Sequence, residues 1–356
     1  MGGQRFKSKD AVRINAAAHD ALSLEVTDLL ADHGIQAQSL PYVRNKESFG
    51  DIDLLCRKSQ THRSIEGEND SELMKALLDA SDAVIAETVG AEAHHRPHLS
   101  DGTLGMLVNS PAGKVQVDLI SVEDDLYDFV FQQLSWGDAG SLAGVIARQM
   151  GLKVGMNGVF LTHPGKYGEL KIKIDITHAE LLDILDLDAR HHQKGFHNRE
   201  EIFRWLSNSR YFNPCIWQFD WITSKSRARA VKRPTYMAFL DWMESSGSPQ
   251  RYYWGEKRGD RKDDWISYFL SEYPAVRREL DALLLAEQKK EDLAKFFNGN
   301  VIGAHTGVRG EQLGHLMNAI RKDIGESELS RMADNGDSNT LLAKADQIKS
   351  KLETVD

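Results

Sequence analysis

Three aspartates carry the chemistry that this sequence suggests. Asp51 and Asp53 sit in the short run Gly50-Asp51-Ile52-Asp53-Leu54-Leu55-Cys56, whose apolar and acidic residues alternate. In an extended strand, side chains two apart share a face, so the two carboxylates stand side by side while Ile52 and Leu54 point to the core. Two anions so close repel each other unless they are solvated, share a proton or are neutralised by divalent cations. Asp118, in the apolar run Val115 to Val122, shares a face with Gln116 and Ile120. If the two runs are neighbouring strands, three acids converge. Oxygen-only donors of this kind suit Mg²⁺ or Mn²⁺, and two such ions roughly 3.5–4 Å apart stabilise the attacking and leaving oxygens of an in-line phosphoryl displacement. The spacing alone also fits a plainer arrangement, with Asp51 and Asp53 flanking a turn after Gly50 and Asp118 facing water on an edge strand.

The elements that must position these acids are legible from periodicity. Apolar residues from Ala11 to His33 recur at mostly helical spacing, and Gly34 follows as a stop. After the Asp51–Asp53 strand, 57–71 is polar and loop-like, and 72–87 returns to helical spacing. Two paired strands are expected at 104–108 and 115–122 around Ser110-Pro111-Ala112-Gly113, with further short strands at 158–162 and 170–174. From about Thr177 the pattern is helical: 178–187, 199–207, 236–244, 265–269, 275–297 and 312–320. The segment 325–356 is polar and reads as a partly disordered tail with one helix near 341–352.

Composition narrows the function classes. The chain has 356 residues with 41% hydrophobic and 27% charged residues, which is ordinary globular composition. Cys56 and Cys215 are the two cysteines, too far apart for a thiolate zinc site or a disulfide framework, so a reducing, cytoplasmic setting is expected. No export segment or membrane span is expected, because no run of about 18–20 apolar residues exists. GxxxxGK[ST], GxGxxG and GxSxG motifs are missing, which removes the P-loop, Rossmann and serine-hydrolase readings. The clusters His94-His95 with His98 and His191-His192 lack companion Cys or acidic motifs for zinc.

The longer context of the acids adds a resemblance. Arg44-Asn45-Lys46-Glu47-Ser48-Phe49-Gly50-Asp51-Ile52-Asp53-Leu54-Leu55 resembles the palm motif of the DNA polymerase β superfamily, particularly the X-family polymerases. Val117-Asp118-Leu119-Ile120 is similar to the strand bearing that superfamily's third carboxylate. Trp136-Gly137-Asp138, then 147–153 and Asn157-Gly158-Val159-Phe160, resemble its nucleotide-contacting turn, helix and following segment. The three matches lie in order over about residues 15–185. The resemblance implies an α+β fold with a mixed-sheet nucleotidyltransferase palm at 1–176, a helical accessory domain at 177–324 and the tail at 325–356. It further implies that Asp51 and Asp53 hold two Mg²⁺ (or Mn²⁺) ions and that Asp118 holds the catalytic ion and helps deprotonate the attacking hydroxyl. Arg44 would meet the triphosphate, Ser39, Ser48 and Gly50 would lie among the nucleotide-binding positions, and the Trp136-Gly137 turn would lie against sugar and base. Two departures concern phosphate binding. Leu40-Pro41 stands where the family has Gly-Ser, so that Ser39 could substitute only after a local shift, and Asp138 stands where a Ser is usual.

An acceptor surface is expected in the basic segment 225–262. It carries ten Lys or Arg against four acids, within a chain whose net charge is −9. Lys225, Arg227, Arg229, Lys232, Arg233 and Arg251 are its candidate nucleic-acid contacts, with Tyr236, Trp242, Tyr252, Tyr253 and Trp254 interleaved for stacking on unpaired bases. An equally consistent arrangement buries those aromatics and leaves the cations as a solvated face. The expected activity is transfer of a nucleoside monophosphate from an NTP or dNTP to a DNA or RNA 3′-hydroxyl with release of pyrophosphate. Nucleotidylation of a small molecule or protein, and a non-catalytic nucleic-acid-binding module, are the alternatives. The sequence does not specify an oligomeric state.

Overall fold

The structure is a computed structural model that describes Phe6, 11–61, 83–87, 89–94 and 102–353. Most of the helix expected over 72–87, together with His95 and His98, lies outside the described residues. The first helix, Ala16–Asp32, begins where Asn15 accepts a hydrogen bond from the Ala18 N–H at 2.9 Å and ends before Gly34, whose φ of 81° only glycine adopts without strain. The sequence reading started this helix at Ala11. Residues 11–14 are instead extended: Ile14 exchanges both backbone hydrogen bonds with Phe49, and the Val12 N–H donates to the Lys114 carbonyl.

The helix covers a five-stranded mixed sheet of order β1-β2-β5-β4-β3, made of β1 (Gln38–Ser39), β2 (Asp51–Arg57), β3 (Glu92–His94), β4 (Thr103–Ser110) and β5 (Gly113–Val122). β2 and β5 run parallel; the other pairs are antiparallel. β4 and β5 form the expected hairpin, closed at Gly113 with φ 120°. Ile52, Leu54, Val115, Val117 and Leu119 are completely buried, and with Leu22, Val26 and Leu30 of the first helix they form one apolar core. A second sheet, β6 (Leu152–Gly155), β7 (Gly158–Gly165) and β8 (Gly168–Ile174), is a meander in that order. β7 and β8 answer to the two short strands expected there; β6 was not expected as a strand.

The described chain divides into two compact units, and the division differs from the expected boundary at 176/177. The first unit takes in 1–161 and 173–269, so the helices His178–Ile184 through Ser224–Ala230 and Pro234–Ser245 cluster with the sheets. Trp217, Phe212 and Phe239, all fully buried, pack ring against ring, and the Trp217 indole donates to the Leu142 carbonyl, which ties this cluster to the helix Ala139–Gln149. The second unit, 162–172 and 270–356, joins the outer part of the β7–β8 hairpin to five helices, Pro274–Phe296, Gly299–Thr306, Gly310–Ile324, Glu326–Asn335 and Ser338–Glu353. The Lys166 ammonium pairs with Glu291, and the backbone N–H groups of Lys166 and Tyr167 donate to the Glu287 carboxylate.

Residues 326–353 form packed helices, not the partly disordered tail that the polar composition predicts. Leu329 and Met332, and Leu341, Ala345 and Ile348, are buried in the core of the second unit with Ile302, Leu316 and Ile320. Their spacing of three and four is a helical stripe that the polar composition around it obscured. No helix among the described residues is long and apolar enough to cross a membrane. Leu341→Ala should destabilise the second unit by about 2–5 kcal/mol. Chemical denaturation followed by proteolysis should show the C-terminal helices becoming cleavable first.

Candidate metal centre

Register brings the three aspartates together. Asp53 on β2 lies directly opposite Asp118 on the parallel strand β5, and Asp51, two residues earlier, shares their face. One carboxylate oxygen from each of the three lies within 4.8 Å of the others, and all three residues are half-buried. Their strand neighbours Ile52, Leu54, Val117 and Leu119 are fully buried on the opposite face, so a one-residue slip of either strand would drive charge into the core. Gln116, opposite Asp51 and 2% exposed, donates its amide to Asp118 Oδ2 at 2.9 Å. Among the described residues, this is the one group of three or more His, Cys, Asp or Glu side chains close enough to hold a metal ion. The donor set is all oxygen and anionic, which fits Mg²⁺ or Mn²⁺ and not zinc.

Cations flank the acids. The Lys46 ammonium lies 4.2 Å from the centroid of the Phe49 ring. The packing around the amine lowers its pKa, while Asp51 and then Asp53 act to raise it. Arg13 donates from Nε to Ser48 Oγ and from its other amine to the Ser48 carbonyl, both at 2.9 Å. Phe49 is itself wedged between His19 and Tyr42, at 4.2 and 4.5 Å between ring centroids. Tyr42 donates its hydroxyl to Asp20, and its pKa is pushed up to about 12 by burial and by that carboxylate. These contacts anchor the loop before β2 on the first helix. In the sequence Lys46 is one residue of a motif and nothing marks Arg13. A basic residue two positions before Ser48, and another 35 positions before it in the chain, carry no signal until the loop folds back.

The other expected nucleotide-binding positions are distributed as follows. Ser39, half-buried on β1, pairs with Leu54 of β2 and so shares the core face of Leu54, not the face of Asp53 and Asp118, which removes it from the expected nucleotide-binding positions. Gly50 is buried at the mouth of β2, and Ser48 receives Arg13. Arg44 donates to the Lys194 carbonyl at 2.7 Å, while the Arg44 and Asn45 N–H groups donate to the carbonyls of Phe196 and His197. Trp136 and Gly137 have φ of 65° and 68°, an uncommon backbone for a bulky residue. The Trp136 N–H donates to the Pro41 carbonyl, so the turn is clamped to the same loop as Arg44. Its ring lies against Gly195, where a Cβ would collide with it, and edge-on to Phe196. Asp138 pairs with Arg233 at 3.4 Å, and Arg233 also donates to Ser141.

Several residues expected to form a nucleic-acid surface are instead engaged within the fold. Tyr236 and Trp254 are buried, with Tyr236 donating to the Trp217 carbonyl and Trp254 to the Tyr211 carbonyl. Trp242 stacks on Phe239, and Tyr252 packs against Trp254. Tyr253 alone of the five is exposed. Of the cations, Arg227 donates to the Phe219 carbonyl, Arg233 is held as described, and Arg251 donates to the Ser207 carbonyl. Lys225, Arg229 and Lys232 remain exposed.

No protein-family model matches the chain, and no curated protein matches it. Calorimetric titration with Mn²⁺ should detect binding that Asp53→Asn and Asp118→Asn each weaken by at least about tenfold, with the melting temperature of the ion-free protein unchanged or raised, since each change relieves repulsion.

Proposed function

We propose that this protein is a metal-dependent nucleotidyltransferase of polymerase β-like type. It would move a nucleoside monophosphate from an NTP or dNTP to a hydroxyl, the favoured acceptor being a nucleic-acid 3′ end. The observation that carries the reading is the side-by-side register of Asp53 and Asp118 on parallel strands, with Asp51 on the same face. In that reaction the hydroxyl oxygen bonds to the α-phosphorus, the bond from that phosphorus to the bridging oxygen breaks, and pyrophosphate leaves with the electron pair. The Asp118 carboxylate would accept the hydroxyl proton, and the hydrogen bond it receives from the Gln116 amide supports that role by orienting it. Asp51 and Asp53 would hold two Mg²⁺ or Mn²⁺ ions, Asp118 would help hold the catalytic one, and bound ions there would supply charge neutralisation to the triphosphate.

Phosphate binding must differ from the family pattern, because Pro41 has no N–H to offer. Lys46 supports a substitute, being close enough to feel both Asp51 and Asp53 and carrying a mobile point charge suited to a phosphate oxygen. Arg13 braces the loop that carries it. A second reading, transfer to a small molecule or to a protein side chain, is favoured by the burial of Tyr236 and Trp254 and the stacking of half-buried Trp242 on Phe239, which take these rings away from a base-stacking role.

The test is incorporation of labelled NTPs and dNTPs, with Mg²⁺ or Mn²⁺, into DNA, RNA and tRNA primers. Wild-type protein should extend or label at least one primer, and Asp118→Asn should reduce the rate by at least about a thousandfold, as loss of charge stabilisation in a phosphoryl transfer demands. Undiminished activity in Asp118→Asn ends the reading; labelling of no primer by an active, metal-binding protein shifts it to the second acceptor class. Lys46→Met should raise the KM for the nucleotide about tenfold and leave Mn²⁺ affinity of the free protein nearly unchanged, the pattern of a lost phosphate contact.

A further inference from the structure

While several of the cations first expected to meet a nucleic acid are drawn into the fold, a different set stands clear of it. The helix Ala139–Gln149 starts just after the Trp136–Gly137 turn and carries Arg148 in its last turn. Arg148 is exposed, yet enough protein packs around its guanidinium to lower its pKa; Tyr236 acts to raise it, and Arg258 lowers it again. No carboxylate is among the groups that act on this guanidinium. The chain turns at Gly151, whose N–H donates to the Arg148 carbonyl, and a Cβ placed on Gly151 would meet the Lys262 stem at 3.3 Å. Two arginines and a lysine therefore gather at one helix end, and none of the three makes an ion pair among the described residues.

The acids of the same segment are committed elsewhere. Asp260 accepts the N–H groups of Glu256 and Lys257 at 2.8 and 3.0 Å, which closes the loop that carries Arg258. Glu256 accepts the Tyr253 hydroxyl at 2.5 Å, and Asp264 pairs with Arg261 at 3.1 Å. Asp263 stands in the first turn of the helix Lys262–Glu272, where the positive helix end favours it. The C-terminal end of Ala139–Gln149 supplies roughly half a negative charge, which balances only part of three cations. Beside them the surface is aromatic. Tyr253 and Tyr268 are 62% and 46% exposed. Tyr253 precedes the buried Trp254, whose ring centroid lies 6.3 Å from that of Trp265, and Tyr268 meets Trp265 edge-on at 5.6 Å.

We propose that Arg148, Arg258 and Lys262 bind phosphates of a single-stranded nucleic acid, with Tyr253 and Tyr268 as stacking surfaces for its unpaired bases. Guanidinium groups stay charged when crowded together, and their planar forks match phosphate oxygens, so a chain of phosphates relieves the crowding. A metal cation is repelled there, and an apolar ligand leaves the charges unmet. A polyanion without bases uses the cations and ignores the exposed rings; cations joined with exposed rings are the pattern of sequence-tolerant single-strand binding. The role of this surface rests on the proposed transfer to a nucleic-acid 3′ end. The helix that joins it to the Trp136–Gly137 turn has 11 residues and spans roughly 16 Å, the length of about five stacked nucleotides. The surface holds the acceptor strand upstream of the hydroxyl that reacts.

The experiment uses the full chain without divalent ions or nucleotide, so that binding is measured apart from transfer. It follows the fluorescence anisotropy of a labelled strand of roughly twelve nucleotides, as DNA and as RNA. Arg148→Ala/Arg258→Ala should weaken binding at least about tenfold and flatten the slope of log K against log salt by about 1.4, the share of two phosphate contacts on a single strand. Lys225→Ala/Arg229→Ala removes equal charge from the exposed helix Ser224–Ala230 and should change the affinity less than about twofold. Tyr253→Ala/Tyr268→Ala should weaken the base-bearing strand about tenfold and leave an abasic strand of equal length unaffected. All six substituted residues are exposed, and a thermal melt of each variant confirms its fold. Absence of binding by the wild-type protein, equal losses from the two cation pairs, or a tyrosine pair that affects both strands or neither overturns the proposal. Binding as expected with no incorporation into any primer removes the transfer reading alone; incorporation at an unchanged primer KM in Arg148→Ala/Arg258→Ala removes this proposal alone.

Discussion

The parallel pairing of β2 with β5 is the constraint on which the rest of the first unit depends. It sets Asp53 against Asp118, and at the same time sets Ile52 and Leu54 beside Val117 and Leu119 on the buried side. Charge on one face and full burial on the other make any other register costly, because a slip by one position exchanges the faces. The carboxylates are thus held close by the apolar side of the same strands. Their mutual repulsion is a local cost that hydrophobic burial nearby offsets, and it leaves a site with a standing demand for positive charge.

Around that pairing, the loop 40–50 is fixed from three directions. Arg13 holds Ser48, His19 and Tyr42 enclose Phe49, and the carbonyls of Lys194, Phe196 and His197 receive Arg44 and Asn45. The Trp136–Gly137 turn adds a fourth tie through Pro41. Pro41, which has no N–H to donate, here offers its carbonyl as an acceptor. Positive φ at Trp136 stores strain that the contact with Gly195 and Phe196 helps to hold. These ties give the proposed chemistry a rigid frame, which matters for a reaction that rests on positioning more than on covalent participation.

Much of this was legible in the sequence, and the reason is local. Alternation at 50–56 and 115–122 showed two strands and the face of each acid, and Gly34 and the turn at 110–113 marked ends correctly. Three kinds of feature were not legible. Residues 11–14 look helical by spacing, yet Ile14 is better satisfied by a ladder with Phe49, a long-range partner that periodicity does not contain. The tail's buried stripe at Leu329, Met332, Leu341, Ala345 and Ile348 is diluted by charged neighbours, so composition suggested disorder where helix packing prevails. Lys46, Arg13 and Arg148 acquire meaning only from neighbours brought close by folding. The aromatic residues of 225–262 were ambiguous for the same reason: the core took Tyr236 and Trp254, Trp242 and Tyr252 are half-buried, and Tyr253 is exposed.

The hairpin at 162–172 has a consequence for biosynthesis. Its backbone N–H groups at Lys166 and Tyr167 are received by Glu287, and its lysine by Glu291, residues made more than a hundred positions later. While the ribosome is still translating the intervening helices, this β-turn has been released without its acceptors. It must wait, solvated, until the long Pro274–Phe296 helix emerges to receive it.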